Sequence, residues 1–84
     1  MYQCPVCGYD GLLDPPRSQS GGGSYEICPS CGFQFGESDD DRGISYEQWR
    51  TQWISGGMVW DKGRSDPPLG WNPIAQLKRL GVDL

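Results

Sequence analysis

The residues of this chain best suited to chemistry are its four cysteines, which stand in two matching motifs. Each motif is a Cys-x-x-Cys pair followed by a glycine and an aromatic residue, and 20 residues separate the two pairs. Thiolates at this spacing are typical of a tetrahedral zinc site in which each pair supplies two ligands. The sequence therefore predicts one Zn²⁺ held by Cys4, Cys7, Cys28 and Cys31.

The composition of this site predicts a structural metal. Four sulfur ligands close the coordination shell, so neither water nor substrate has an open position on the ion. The chain also has no histidine, which is the usual ligand of catalytic zinc and the usual general base at neutral pH. We therefore expect no enzyme activity from the metal site.

Two other interpretations of the cysteines stay open. Two disulfides would use the same residues, but Cys4 lies too close to the N-terminus to leave room for a signal peptide, which favours metal in a reducing cytoplasm. Iron is the second, because a tetrahedral thiolate site accepts either metal. The motifs also resemble those of rubredoxin, a one-iron electron carrier, although the segment after residue 36 is not part of a rubredoxin.

Length and composition indicate a single small domain over 1–84. A chain of 84 residues buries a limited share of its surface, and this one carries 13 glycines and seven prolines. A core with so few apolar residues usually needs an additional stabilising cross-link, which the metal would supply. We expect the metal-binding part to occupy residues 1–36.

Local patterns predict the elements that position the cysteines. Residues 25–27 and 33–35 alternate apolar and polar side chains on either side of the second motif, which indicates a β-hairpin with that motif at its tip. Gly8 and Gly32 are expected to take a positive φ in the tight turns. The predicted class is small α+β, metal-stabilised: a zinc ribbon with β-hairpin knuckles, followed by two short helices that cover it.

The first helix is predicted over 45–55. Ser45 and Gln48 fit a capping box, and Gly56-Gly57 ends the pattern. Tyr46, Trp49 and Trp53 share one helical face.

The second helix is predicted over 72–80. Asn72 is suited to the N-cap and Pro73 to the first turn. An apolar stripe of Ile74, Leu77 and Leu80 should face the core, and Gly81 fits the C-terminal stop.

The charge pattern argues against nucleic acid as a partner. The formal net charge is −4, and among the seven basic residues only Lys78 and Arg79 are adjacent. Phosphate binding needs clustered Lys and Arg. Glu37 and the run Asp39 to Asp41 could bind calcium or mimic phosphate, but an acidic loop over 37–44 before a helix N-terminus is the simpler interpretation.

The four tryptophans and Tyr46 are the second informative set. Exposed indoles stack on nucleic-acid bases or anchor a partner protein. Most of these rings are instead expected to form the small core that packs the helices on the ribbon.

Four stretches together carry a family resemblance: Cys-Pro-Val-Cys-Gly-Tyr at 4–9, Tyr-Glu-Ile-Cys-Pro-Ser-Cys-Gly-Phe at 25–33, Tyr46-Glu47 to Trp53, and Pro67-Pro68 to Leu77. With them the chain resembles short bacterial proteins that carry the cysteine-rich CPCC-type domain. The resemblance implies a metal-binding ribbon and a bacterial source, and it supplies no activity. Val6 stands where that family has a third cysteine, and Ser30 fills the matching place in the second motif, which argues against a larger metal cluster.

From these observations we expect a non-catalytic, cytoplasmic zinc protein that binds another protein. A nucleic-acid-binding zinc ribbon is the first alternative, and a rubredoxin-like iron carrier is the second. No apolar run is long enough to span a bilayer, so no membrane role is expected.

Overall fold

The computed structural model describes residues 1–61 and 66–83. A π-helical turn, Glu37–Asp41, precedes helix α1 (Tyr46–Ser55) and helix α2 (Pro73–Arg79). Within the described residues, extended segments pair only through three isolated antiparallel bridges: Tyr2 with Leu12, Arg17 with Gly23, and Ile27 with Gln34.

The two cysteine motifs fold into the same backbone turn, which we call knuckle 1 (residues 4–9) and knuckle 2 (residues 28–33). In each knuckle the N–H of the first cysteine donates to the carbonyl of the aromatic residue five positions later, at 2.6 and 2.9 Å. The glycine N–H donates back to the carbonyl of that first cysteine, at 2.9 and 2.7 Å. Gly8 and Gly32 have φ of +84° and +83°, as the sequence predicts.

The predicted hairpin around knuckle 2 is not confirmed as a ladder. The bridge between Ile27 and Gln34 is followed at once by a β-bulge. Tyr25 N–H donates to the Phe35 carbonyl (2.8 Å) and Phe35 N–H donates to the Glu26 carbonyl (3.3 Å), so two residues face one. Tyr25 takes the left-handed conformation that such a bulge requires, with φ +62°. The pairing therefore stops after one bridge.

The Glu26 side chain joins the two halves of the ribbon. Its carboxylate oxygens accept hydrogen bonds from the backbone N–H groups of Leu13 (2.9 Å) and Asp14 (3.0 Å). This contact ties the segment entering knuckle 2 to the segment leaving knuckle 1.

The acidic segment is more ordered than the predicted loop, because its first five residues form the π-helical turn. The Asp39 carboxylate accepts from Gly36 N–H at 2.7 Å and so closes the start of the turn. Arg17 pairs with both Asp39 and Asp40, and the Arg17 guanidinium lowers the pKa of the exposed Asp40 carboxyl. These contacts partly neutralise the acidic run.

Helix α1 begins as the sequence predicts. Ser45 Oγ accepts from Gln48 N–H at 3.0 Å, and Gln48 Oε1 accepts from Ser45 N–H at 2.8 Å, which completes the capping box. Gly56 is the C-cap of the helix, and Gly57, which follows it, has a φ of +98°. The face carrying Tyr46, Trp49 and Trp53 packs against the core.

Helix α2 has the predicted cap but not the predicted apolar face. Asn72 Oδ1 accepts from Ala75 N–H at 3.0 Å, and Pro73 occupies the first turn. Leu77 is buried, whereas Ile74 is 47% exposed, so Ile74 was wrongly assigned to the core. Gln76 is buried beside Leu77 because its amide reaches groups of both knuckles.

The core is built around sulfur and aromatic rings. Four of the ten buried apolar side chains in the described part are the cysteines, and the others include Phe33, Phe35 and Trp53. Phe33 contacts Tyr46 and Trp49 edge-to-face, with ring centroids 5.3 and 5.5 Å apart. These contacts fix α1 on knuckle 2.

A second aromatic group packs against Tyr9 of knuckle 1. The Trp60 ring lies edge-on to Tyr9 (5.6 Å) and to Trp71 (5.3 Å). All four tryptophans are buried or half-buried, which agrees with the expectation that most of them form the core.

Neither α1 nor α2 is long and apolar enough to cross a membrane; this finding covers the described residues alone.

Replacing Gly8 by alanine should unfold the protein more than the same change at Gly81. Both glycines have a positive φ, +84° and +80°, so alanine costs about 1–2 kcal/mol of backbone strain at either position. A Cβ on Gly8 would also lie 2.1 Å from the Gln76 carbonyl oxygen, whereas Gly81 has nothing within 4 Å. We expect a further loss of about 1–3 kcal/mol for Gly8→Ala. Urea unfolding of the metal-loaded variants measures the difference, and equal losses would contradict the close packing of α2 on knuckle 1.

Candidate metal centre

The two knuckles bring the four cysteine sulfurs together in the middle of the core. All four Sγ atoms lie within 4.8 Å of one another. The Sγ atoms of Cys4 and Cys31 are 3.9 Å apart, and those of Cys7 and Cys28 are 3.7 Å apart. Each of these close pairs joins one knuckle to the other.

These distances fit a tetrahedral metal ion. With metal–sulfur bonds of about 2.3 Å, the edges of a regular tetrahedron are about 3.8 Å long. A disulfide needs sulfurs only about 2.05 Å apart, and all four cysteines are free. The four residues predicted from the sequence are therefore positioned to bind one metal ion. Zinc and iron both accept this geometry, so the distances do not distinguish them.

The protonation of the cluster shows why it needs a cation. Neighbouring sulfurs, Cys28 first, together with burial raise the pKa of the Cys31 thiol above its ordinary value. Hydrogen bonds from the other cysteines, Cys28 first, and from the backbone N–H of Tyr9 lower the pKa of Cys7. Without a cation the cluster thus favours negative charge at Cys7 over Cys31. A bound metal ion supplies the positive charge that lets all four sulfurs be thiolates.

The backbone carbonyls of knuckle 1 point outward and are capped by long polar side chains. Arg50 of α1 donates from Nε to the Val6 carbonyl (2.6 Å) and from a terminal nitrogen to the Pro5 carbonyl (2.9 Å). Arg79, at the end of α2, donates to the Gly8 carbonyl at 3.0 Å. Two guanidinium groups therefore stand beside the knuckle that carries Cys4 and Cys7.

Gln76 links the two knuckles. Its Nε2 lies 3.3 Å from the Cys7 carbonyl oxygen and 3.1 Å from Ser30 Oγ. Gln76 and Ser30 are both buried, at 3% and 0% exposure. A buried amide in this position holds the two metal-binding turns in register.

Knuckle 2 is held by neutral indole groups. Trp49 Nε1 donates to the Cys31 carbonyl at 2.8 Å, and Trp71 Nε1 lies 3.3 Å from Ser30 Oγ. These N–H groups orient the turn without bringing a charge to it.

Sequence reasoning found the four cysteines and missed the residues around them. Arg50 and Gln76 lie 44 and 69 positions from the carbonyls that they contact, so no local motif connects them. The only sequence signal is their place on predicted helices. The sequence pattern predicts that most tryptophans lie in the core, but it does not predict the hydrogen bonds of Trp49 and Trp71 to knuckle 2.

The acidic run does not form a second metal site. Within residues 1–61 and 66–83, the four cysteines are the one group of potential ligands close enough to hold an ion. Asp39 and Asp40 are instead engaged by Arg17.

Two proteins of Bacillus subtilis (strain 168) are similar to this chain. The uncharacterized protein YoaQ is 36% identical over an alignment 108 positions long, gaps included, which covers 99% of this chain and 89% of YoaQ. The uncharacterized protein YozI is 33% identical over an alignment 73 positions long, gaps included, which covers 69% of this chain and 60% of YozI. No protein-family model matches the chain, so the resemblance to the CPCC-type domain stays a prediction. No solved structure matches it.

Removing one sulfur ligand should unfold the protein. Binding of a structural zinc contributes about 10–16 kcal/mol in small domains, as much as the whole net stability of about 5–15 kcal/mol. We expect Cys28→Ser, or chelation of the wild type, to abolish the cooperative melt followed by tryptophan fluorescence. Ser30→Ala in the same knuckle should cost only about 1–3 kcal/mol and stay folded. A chelated wild type that still melts cooperatively would contradict the dependence of the fold on metal.

Removing the charge of Arg50 should speed metal loss. Four thiolates and one divalent ion leave a net charge of −2, which the nearby guanidinium stabilises. We expect zinc transfer to a coloured chelator to be faster in Arg50→Gln than in Arg50→Lys, by about tenfold or 1.4 kcal/mol.

The control is Arg42→Gln. Arg42 is 54% exposed, and its ion pair with Glu37 is long, at 3.9 Å. It should release metal at the wild-type rate. If the Gln and Lys variants at position 50 lose metal equally fast, Arg50 acts through hydrogen bonding alone.

Proposed function

This chain belongs to the family of the Bacillus subtilis protein YoaQ, and we propose that it is a non-catalytic zinc protein that works by binding another protein. The observation that carries the proposal is the four-sulfur cluster, buried at tetrahedral spacing inside the core. Such a shell has no open position at which a substrate would bind the metal. The metal would then stabilise the fold, and the protein surface would bind the partner.

The surroundings of the centre favour a structural zinc over a working iron. Side chains from both helices contact both knuckles, through Arg50 and Trp49 from α1 and Gln76 from α2. Contacts of this kind lock one geometry. They also make the segment after the ribbon part of the metal centre, which is not a feature of a rubredoxin-like carrier.

The charges favour a protein partner over nucleic acid. The net charge is −4 and becomes about −6 with zinc on four thiolates. Arginines of the described part are already engaged: Arg17 with carboxylates, and Arg50 and Arg79 with knuckle 1 carbonyls. Within the described residues, few cations are therefore left for phosphate.

An apolar patch beside knuckle 2 is suited to protein contact. Leu13, Tyr25 and Ile27 are 63%, 56% and 49% exposed. Tyr25 and Ile27 flank Glu26 in the chain, and the Glu26 carboxylate accepts from Leu13 N–H. We name these three residues the Glu26 patch. Exposed apolar groups around a satisfied polar group are typical of protein interfaces. The proposed protein is cytoplasmic and of the CPCC-type class.

The proposal is tested by metal analysis followed by capture. The purified protein should hold one zinc and no iron. Tagged protein should then retain one partner protein from nuclease-treated bacterial lysate, and the purified partner should bind it directly. Iron in the protein, or recovery that depends on nucleic acid, would contradict the proposal.

A pair of variants makes the capture specific. Leu13→Glu should keep the zinc and lose the partner, because it places a charge in the Glu26 patch. Leu69→Glu changes a leucine outside that patch that is even more exposed than Leu13 and should keep both. Equal capture by the two variants would remove the Glu26 patch as the binding surface.

A further inference from the structure

One of the four cysteines lies closer to the surface than the others. Cys4, Cys7 and Cys28 are fully buried, whereas Cys31 keeps 5% of its surface exposed. Cys31 also lines two neighbouring cavities, of about 330 and 200 Å³. Trp53 borders both of them. A small molecule that enters either cavity therefore meets Cys31 before any other ligand.

The charges around the centre also distinguish the two knuckles, and they favour reaction at knuckle 2. The guanidiniums of Arg50 and Arg79 stand at knuckle 1, beside Cys4 and Cys7. In the part of the chain that the structure describes, the side chain that donates to the Cys31 carbonyl is the neutral indole of Trp49. Negative charge on the loaded centre is thus less compensated at knuckle 2, which makes the thiolates of Cys28 and Cys31 more electron-rich than those of Cys4 and Cys7. Of these two, Cys31 is the one that lines the cavities.

A carboxylate adds to this difference. Asp61 lines the larger cavity together with Cys31, and its Oδ1 would lie only 2.7 Å from a Cβ built on Gly32. Its negative charge repels anions that approach Cys31 and leaves neutral molecules unaffected. The cavity should therefore admit neutral reagents preferentially.

We propose that Cys31 is the modification site of the metal centre, a metal-bound thiolate that reacts with small neutral electrophiles, above all peroxides. This inference rests on the proposed zinc site and deepens it, since the reaction would release the metal. Oxidation of cysteine follows thiolate character and access, and Cys31 combines both.

The reaction with hydrogen peroxide balances in two steps. Cys31 Sγ attacks one peroxide oxygen, the O–O bond breaks, and hydroxide leaves: Cys31–S⁻ + HOOH gives Cys31–SOH + HO⁻. Cys4 Sγ, 3.9 Å away, then attacks Cys31 Sγ and expels a second hydroxide: Cys4–S⁻ + Cys31–SOH gives the Cys4–Cys31 disulfide + HO⁻. Two electrons pass from the sulfurs to peroxide. The disulfide removes two of the four sulfurs that would hold the metal ion, so a bound ion would be released without a change of its oxidation state.

The labelling order of the four cysteines tests the proposal. Metal-loaded protein is treated with limiting iodoacetamide, which is neutral, and each cysteine is quantified by peptide mass spectrometry. We expect Cys31 to be labelled at least about tenfold faster than the others, with zinc release at the same rate. Iodoacetate, its anionic counterpart, should react more slowly, and Asp61→Asn should reduce that difference.

Labelling through global unfolding would modify all four cysteines alike, and that result would overturn the proposal, as would first labelling at Cys4, Cys7 or Cys28. Under peroxide, the expected product is the Cys4–Cys31 disulfide with free zinc. A different first disulfide would contradict the assigned second step.

Matched variants separate access from stability. Val59→Trp adds bulk at the larger cavity and should slow labelling of Cys31. Leu13→Trp introduces the same indole at a site of nearly equal exposure, 63% against 65%, and should not. Equal rates in both variants would exclude entry through this cavity.

Metal analysis of the same sample keeps the two proposals apart. Iron in place of zinc would contradict the proposed function, while the labelling order would still decide the assignment of Cys31. A zinc-loaded protein that is labelled first elsewhere would overturn this inference and leave the proposed function standing.

Discussion

The convergence of four sulfurs is the constraint on which the rest of this structure depends. Four thiolates within 4.8 Å of one another repel strongly unless a cation lies between them. The same four residues make up a large share of the buried apolar side chains. Hydrophobic packing cannot replace the metal site in such a fold, because the four sulfurs occupy the centre of the core.

The helices follow from the geometry of the metal-binding turns. A tight turn directs its sulfurs inward and its carbonyls outward, and each carbonyl half-covered by protein needs a donor. At knuckle 1 these donors are Arg50 on α1 and Gln76 and Arg79 on α2. The two helices therefore complete the hydrogen bonding of the metal centre as well as covering it, which explains why α2 buries a glutamine in preference to Ile74.

What could be predicted from the sequence was local. The cysteine pairs, the positive φ of Gly8, and the Ser45–Gln48 cap depend on residues a few positions apart, and the structure has each of them. The buried face of α2 and the donors on knuckle 1 depend on carbonyls dozens of positions away. The bulge at Tyr25 was missed for a related reason, since alternation of side chains predicts pairing but does not reveal where a ladder slips by one residue.

A repeated motif does not make equivalent sites. Knuckles 1 and 2 share their backbone hydrogen bonds to within a few tenths of an ångström, yet one is surrounded by guanidiniums and the other by indoles. The difference arises from the segment that follows the ribbon, because the motifs themselves are nearly the same. Since the reactivity of a metal-bound thiolate depends on charge and access more than on the turn that presents it, the segment after the ribbon decides how the four sulfurs differ.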